Sequence, residues 1–216
     1  ANTVDIGSVD TTSSLAFNAA NASVLTVQAG ENLTLTGDLN AVSQMTIDTD
    51  GAFNFSAFTL TDFESADFTG SGSAVLGDLG SVTHGSNMTV DASGLTAFTL
   101  GNLNTKGGVI DVDTSGVIGL TTIGQTINAD NGASTPGDVF LAFGLMGYDA
   151  AGAISVTGTN VGVDLSSVLS APTDAMQYTV EESFAFTGSA VDDSFTRIGT
   201  PAGAALAINL DSSGAK

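Results

Sequence analysis

Short apolar–polar–apolar segments recur along the chain. They read Val4-Asp5-Ile6, Leu25-Thr26-Val27-Gln28, Met45-Thr46-Ile47-Asp48, Ala66-Asp67-Phe68-Thr69, Met88-Thr89-Val90-Asp91 and Ile110-Asp111-Val112-Asp113. Alternation with period two is the mark of a strand with one buried face. The segments begin at residues 4, 25, 45, 66, 88 and 110, so the steps are 20 to 22 residues. The pattern resumes at Ile154-Ser155-Val156-Thr157, two steps of 22 beyond Ile110, and again at Met176-Gln177-Tyr178-Thr179. The rung due near residue 132 is replaced by Ala129-Asp130-Asn131-Gly132-Ala133-Ser134-Thr135-Pro136-Gly137, a loop composition.

A second register runs beside the first. Gly30, Gly51, Gly72, Gly94 and Gly116 follow their strands at 21- and 22-residue intervals, where corners with positive φ are expected. Each is followed by a second short strand and a turn, such as Leu76-Gly77-Asp78-Leu79. A repeat of this length with two strands and glycine corners predicts an all-β chain folded as a β-solenoid, parallel β-helix-like, with coils of 20–22 residues. The alternative is a β-sandwich with evenly spaced strands. In the solenoid, Leu25, Met45, Ala66, Met88 and Ile110 form one inward ladder. Val27, Ile47, Phe68, Val90 and Val112 form its neighbour.

Residues 1–132 read as solenoid coils. Residues 133–216 read as degraded coils, an insertion and a C-terminal β cap or assembly region. The apolar run Val139-Phe140-Leu141-Ala142-Phe143-Gly144-Leu145-Met146 fits a buried strand, an inserted short helix or a subunit contact. Glu181-Glu182 reads as a solvated turn.

Composition narrows the function. The 216 residues carry 23 acids against 3 Lys plus Arg, a formal net charge of −20. Nucleic acid and anionic membranes would be repelled, and no apolar stretch is long enough for a transmembrane segment. With no Cys there is no disulfide framework and no thiolate chemistry.

Leu60-Thr61-Asp62-Phe63-Glu64-Ser65-Ala66-Asp67-Phe68-Thr69-Gly70-Ser71-Gly72 resembles a recurrent element of large bacterial β-strand-repeat surface proteins. Val90-Asp91-Ala92-Ser93-Gly94-Leu95-Thr96 resembles another. That family includes the surface-layer proteins of alphaproteobacteria and related giant adhesins. The resemblance covers about residues 23–125 and implies export, a cell-surface or extracellular location, and lattice or matrix formation. Family calcium sites use Gly-Gly-x-Gly-x-Asp repeats, which this chain lacks, so none is carried over.

The chain's own acids offer candidates. Asp48, Asp91 and Asp113 share one repeat position, Asp111 falls at another, and Asp50 precedes Gly51. Stacked carboxylates repel unless solvated or bridged, and Ca²⁺ takes several such oxygens. Asp48, Asp50, Asp91, Asp111 and Asp113 are therefore the candidate Ca²⁺ ligands. The structural alternative is that such aspartates cap turns by accepting backbone N–H bonds.

Catalytic sets are thin. His84 is the only histidine, with no Gly-x-Ser-x-Gly elbow for a nucleophile and no Cys to complete a zinc site. Polysaccharide-cleaving β-helices need Lys or Arg, and only Lys106, Arg197 and Lys216 are present. A polysaccharide-active enzyme would need His84, Lys106 and several Asp to converge. Two Tyr and no Trp also leave little for stacking on sugars, and a cell-surface glycan is the further partner that an exported protein would meet. Asn21-Ala22-Ser23, Asn32-Leu33-Thr34 and Asn87-Met88-Thr89 are glycosylation sequons. The sequence thus predicts a non-catalytic extracellular structural protein whose main partner is itself, as a surface layer, sheath, fibre or matrix. An adhesin or binding module from a larger secreted protein is the alternative.

Overall fold

The structure, a computed structural model, describes residues 2–130, 136–169, 176–188, 197–199 and 207–211. It is an all-β parallel solenoid of about eight turns with coils of about 22 residues. The first three coils each contribute two strands: β1 (Thr3–Val9) and β2 (Ser13–Asn18), β3 (Val24–Ala29) and β4 (Leu33–Asp38), β5 (Gln44–Thr49) and β6 (Ala52–Phe55). The next three contribute three each: β7 (Ser65–Thr69), β8 (Ser73–Leu76) and β9 (Leu79–His84); β10 (Met88–Asp91), β11 (Ala97–Leu100) and β12 (Leu103–Lys106); β13 (Ile110–Thr114), β14 (Thr121–Ile123) and β15 (Thr126–Asn128). Then come β16 (Val139–Phe143), β17 (Tyr148–Asp149), β18 (Ile154–Asp164), β19 (Met176–Thr187), β20 (Arg197–Gly199) and β21 (Ala207–Asp211).

Every pairing between these strands is parallel. The first side stacks β1, β3, β5, β7, β10, β13, β16 and the second half of β18. The second side stacks β2, β4, β6, β8, β11, β14 and β17. The third side stacks β9, β12, β15 and the first half of β18, so the long β18 joins the first and third sides into one sheet.

Inward residues of all sides meet in a single core. Leu25, Val27, Ile47, Phe53, Phe55, Phe68, Val90, Phe98 and Val112 are all fully buried. Ring contacts run along the core: Phe55 and Phe58 stack with centroids 4.1 Å apart, and Phe68 and Phe98 meet tilted at 5.4 Å. Threonines that face inward at corners stay satisfied. The Oγ1 of Thr49, Thr105 and Thr114 donates to the carbonyls of Gly51, Gly108 and Ala142 at 3.0, 2.7 and 2.9 Å. Among the described residues no buried side-chain polar atom lacks a partner, as a dry interior requires.

Four expectations need correction. The ladders are not evenly spaced: Ala66 lies opposite Val90, not Met88, so the coil there is 24 residues long. The added length is the third side, whose first full strand is β9. Leu25–Met45–Ala66 and Met88–Ile110 pair as expected.

Second, Ile154 and Met176 do pair with each other, but on the third side. The first-side ladder after Ile110 runs through Val139, Val161 and Phe184. The missing rung is therefore β16, a buried strand in the apolar run, displaced by the insertion before it.

Third, Gly30, Gly51, Gly72, Gly94 and Gly116 are not positive-φ glycines; among the described residues those are Gly37, Gly70, Gly85, Gly107, Gly147 and Gly152. Gly51, Gly72 and Gly116 answer a different constraint. A Cβ on any of them would collide with the main chain of the coil before it, at Glu31, Gly51 and Ser93 respectively. Glu181-Glu182 is likewise not a turn. It lies within β19, near the register shift where the strand rounds the corner, with Glu182 exposed.

Candidate functional site

The outward face of the first side gathers most of the candidate acids. Because outward residues alternate with core residues, pairing register decides which acids meet. Asp67, Asp91 and Asp113 stand opposite one another in β7, β10 and β13. Asp111 sits two residues before Asp113, opposite Thr89 on one side and Phe140 on the other. Asp48 belongs to another column, between Gln28 and Thr69. Asp48 and Asp50 line a polar hollow of about 300 Å³ with Ser8, Asp10, Gln28 and Gly30.

Several of these acids hold turns. Asp91 Oδ1 accepts from the Ser93 N–H at 3.0 Å and its hydroxyl at 2.6 Å, and Asp113 Oδ1 accepts from the Ser115 N–H at 2.8 Å. Asp164 does the same for Ser166 at 2.8 Å. The shared Val-Asp-x-Ser wording of Val90–Ser93, Val112–Ser115 and Val163–Ser166 thus encodes the same corner three times. Asp50 Oδ1 reaches across coils to the Ser71 N–H and hydroxyl, at 3.1 and 2.9 Å. The Ser71 hydroxyl, and then its N–H, hold the Asp50 carboxyl below its ordinary value.

Asp111 is the opposite case. Burial, then the neighbouring Asp113 and Asp91 charges, raise its pKa above 3.8. A raised folded-state pKa means the fold binds more protons than the unfolded chain just above pH 3.8, so stability falls as pH climbs through that window. Asp111→Asn is therefore expected to raise the melting temperature at pH 7, by an amount equivalent to about 0.5 kcal/mol, because it removes a charge disfavoured by burial and by the nearby Asp113 and Asp91. The gain should vanish below about pH 3, where Asp111 is protonated in both the folded and the unfolded chain. Thermal melts at the two pH values check this, and a variant less stable than the parent at pH 7 would contradict it.

The five candidate calcium ligands do not converge. Asp48 and Asp50 stand with Asp10, whereas Asp91, Asp111 and Asp113 lie further along the sheet. Among the described residues no three His, Cys, Asp or Glu side chains are grouped to hold one metal ion. On the third side, His84 and Lys106 are backbone neighbours, and the Lys106 backbone forms an isolated antiparallel β-bridge with that of Asp130. Arg197 pairs with Gln177 through its backbone, and Lys216 lies outside the described residues.

Sequence reading missed a second hollow, of about 240 Å³, on the first side from β13 to β19. Its floor is Ala142, Gly162 and Ala185, and its rim holds Asp111, Asp113, Phe140, Asp164 and Thr187. Phe140 is an outward aromatic, 43% exposed, within β16, where Val139, Leu141 and Phe143 are buried. No family model, curated protein or solved structure matches this chain, so its site is read from chemistry alone.

Proposed function

We propose that this chain is an extracellular structural protein that self-associates, coil upon coil, into a surface layer, sheath, fibre or matrix. The reading is supported by the apolar residues that the first and last described coils carry on their inward ladders, which a further coil, of this chain or of another copy, would cover. Val4, Leu15 and Phe17 of the first coil are only half-buried, while Leu25 and Leu35 one coil further in are fully buried. Ile208 and Leu210 of β21 continue the inward ladder of Phe184 and Phe186, yet are 53% and 54% exposed. A strand edge that carries an apolar ladder is a template for further strands. A contact between unlike ends repeats indefinitely, which is how filaments arise.

The high negative charge tunes this association, since stacking copies brings like charges together and counter-cations relieve them. Electron microscopy of the purified 216-residue chain at high concentration, with and without Ca²⁺, tests the reading. Ordered filaments or sheets are expected, favoured by Ca²⁺ or high salt. Dispersed monomers under both conditions would overturn it. A second reading, an adhesin or binding module, is favoured by the hollow beside Phe140.

A further inference from the structure

We infer that the hollow over Ala142 binds an arginine-bearing segment of a partner protein, independently of any end-to-end assembly. Its geometry follows from register. Asp113, Ala142 and Asp164 occupy one outward column on three successive strands. The small Ala142 leaves a slot between two carboxylates that stand two strand spacings, roughly 10 Å, apart. Both carboxylates are oriented by their Oδ1 bonds to the Ser115 and Ser166 N–H groups, at 2.8 Å each. The next outward column supplies Asp111, Phe140 and Gly162. Glycine at 162 lets the Phe140 ring lie across the strand, because a Cβ there would stand 2.9 Å from the ring's Cδ1. The ring thus forms one wall of the hollow.

The chemistry of the slot selects its occupant. A lone metal ion is poorly served, since the carboxylates flank the slot without converging and much of the lining is apolar. A guanidinium suits each part: its planar face stacks on Phe140, and its N–H groups reach carboxylates on either side. The raised pKa of Asp111 agrees, as its neighbours are like charges rather than a cation. With 3 Lys plus Arg against 23 acids, the chain has little of its own to fill the slot, so the cation comes from outside.

The test is fluorescence anisotropy with a labelled tetra-arginine peptide, at about 150 mM salt to suppress general charge attraction. Phe140→Ala and Asp164→Asn are each expected to weaken binding about tenfold, and Asp48→Asn, which removes the same charge elsewhere on the sheet, less than twofold. Ala142→Arg is expected to abolish binding by placing a guanidinium in the slot. It is also expected to raise the melting temperature, which separates occupancy from misfolding. Tetra-lysine should bind several-fold more weakly, and spermidine or Ca²⁺ at equal charge should compete poorly. Equal loss in Asp48→Asn and Asp164→Asn, unchanged binding in Phe140→Ala, or equal binding of tetra-lysine or spermidine would overturn the proposal.

Discussion

Ile47→Asp is expected to unfold the protein, while Thr46→Asp, one residue earlier, leaves it folded. Ile47 is fully buried between Val27 and Phe68 in neighbouring coils. Its carboxylate would sit in a dry ladder with apolar partners above and below. An uncompensated buried charge costs about 3–5 kcal/mol, and loss of the Ile side chain adds to that. The total approaches the whole stability of an ordinary domain, about 5–15 kcal/mol. Thr46 faces solvent on the same strand, between Thr26 and Asp67. A carboxylate there meets only the Asp67 charge, a cross-strand penalty of about 0.5 kcal/mol. Far-ultraviolet circular dichroism and thermal melts separate the outcomes. Similar melting temperatures for the two variants would mean that the alternation does not divide core from surface.

Gly72→Ala carries the second large effect. Gly72 N–H donates to the Thr49 carbonyl at 2.8 Å, and its own carbonyl accepts from the Thr96 N–H at 2.8 Å and hydroxyl at 2.7 Å. The glycine is thus bonded to the coils on both sides. A Cβ there would collide with the Gly51 carbonyl and stand 2.8 Å from the Thr49 oxygen. Main chain cannot swing aside as a side chain does, so the coils must part, at a cost of about 3 kcal/mol. Gly7→Ala is the control. A Cβ at Gly7 meets nothing within 4 Å, so it should be neutral or stabilising by up to about 1 kcal/mol. Urea titration of both variants reads the difference. A tolerated Gly72→Ala would mean that the turns do not stack as closely as described.

How far the fold could be read from the chain follows from what a period encodes. Apolar alternation marks which residues face inward, and Leu25, Ile47 and Val112 are buried as that rule requires. It does not mark register. Shifting Ala66 from Met88 to Val90 moves it by two residues, which keeps every apolar residue inward, so the pattern is indifferent between the two. Nor does a period mark the side of the coil. Ile154 fits the 22-residue step from Ile110, yet every side of a solenoid repeats with the same step. The third side was hidden further by its polar inward positions, Ser81 and Thr105, which interrupt the alternation.

The glycine register located the close-stacked corners but not their reason, because positive φ and backbone proximity both select glycine. The acids were legible as turn formers in Val-Asp-x-Ser. Their grouping was not, because Asp113, Ala142 and Asp164 meet only after the insertion before β16 sets the register. Phe140 was concealed differently. In Val139-Phe140-Leu141-Ala142-Phe143 every residue is apolar, so nothing in the run distinguishes the outward aromatic from its buried neighbours.

The central claim is that copies of this solenoid associate by stacking coil upon coil. X-ray diffraction from aligned assemblies of the purified chain tests it most directly. Coil upon coil stacking places the strand-spacing reflection, at about 4.8 Å, along the fibre axis. That arc is the expected result. Assemblies with the same reflection perpendicular to the axis, or a protein that forms no ordered assembly, would contradict the account.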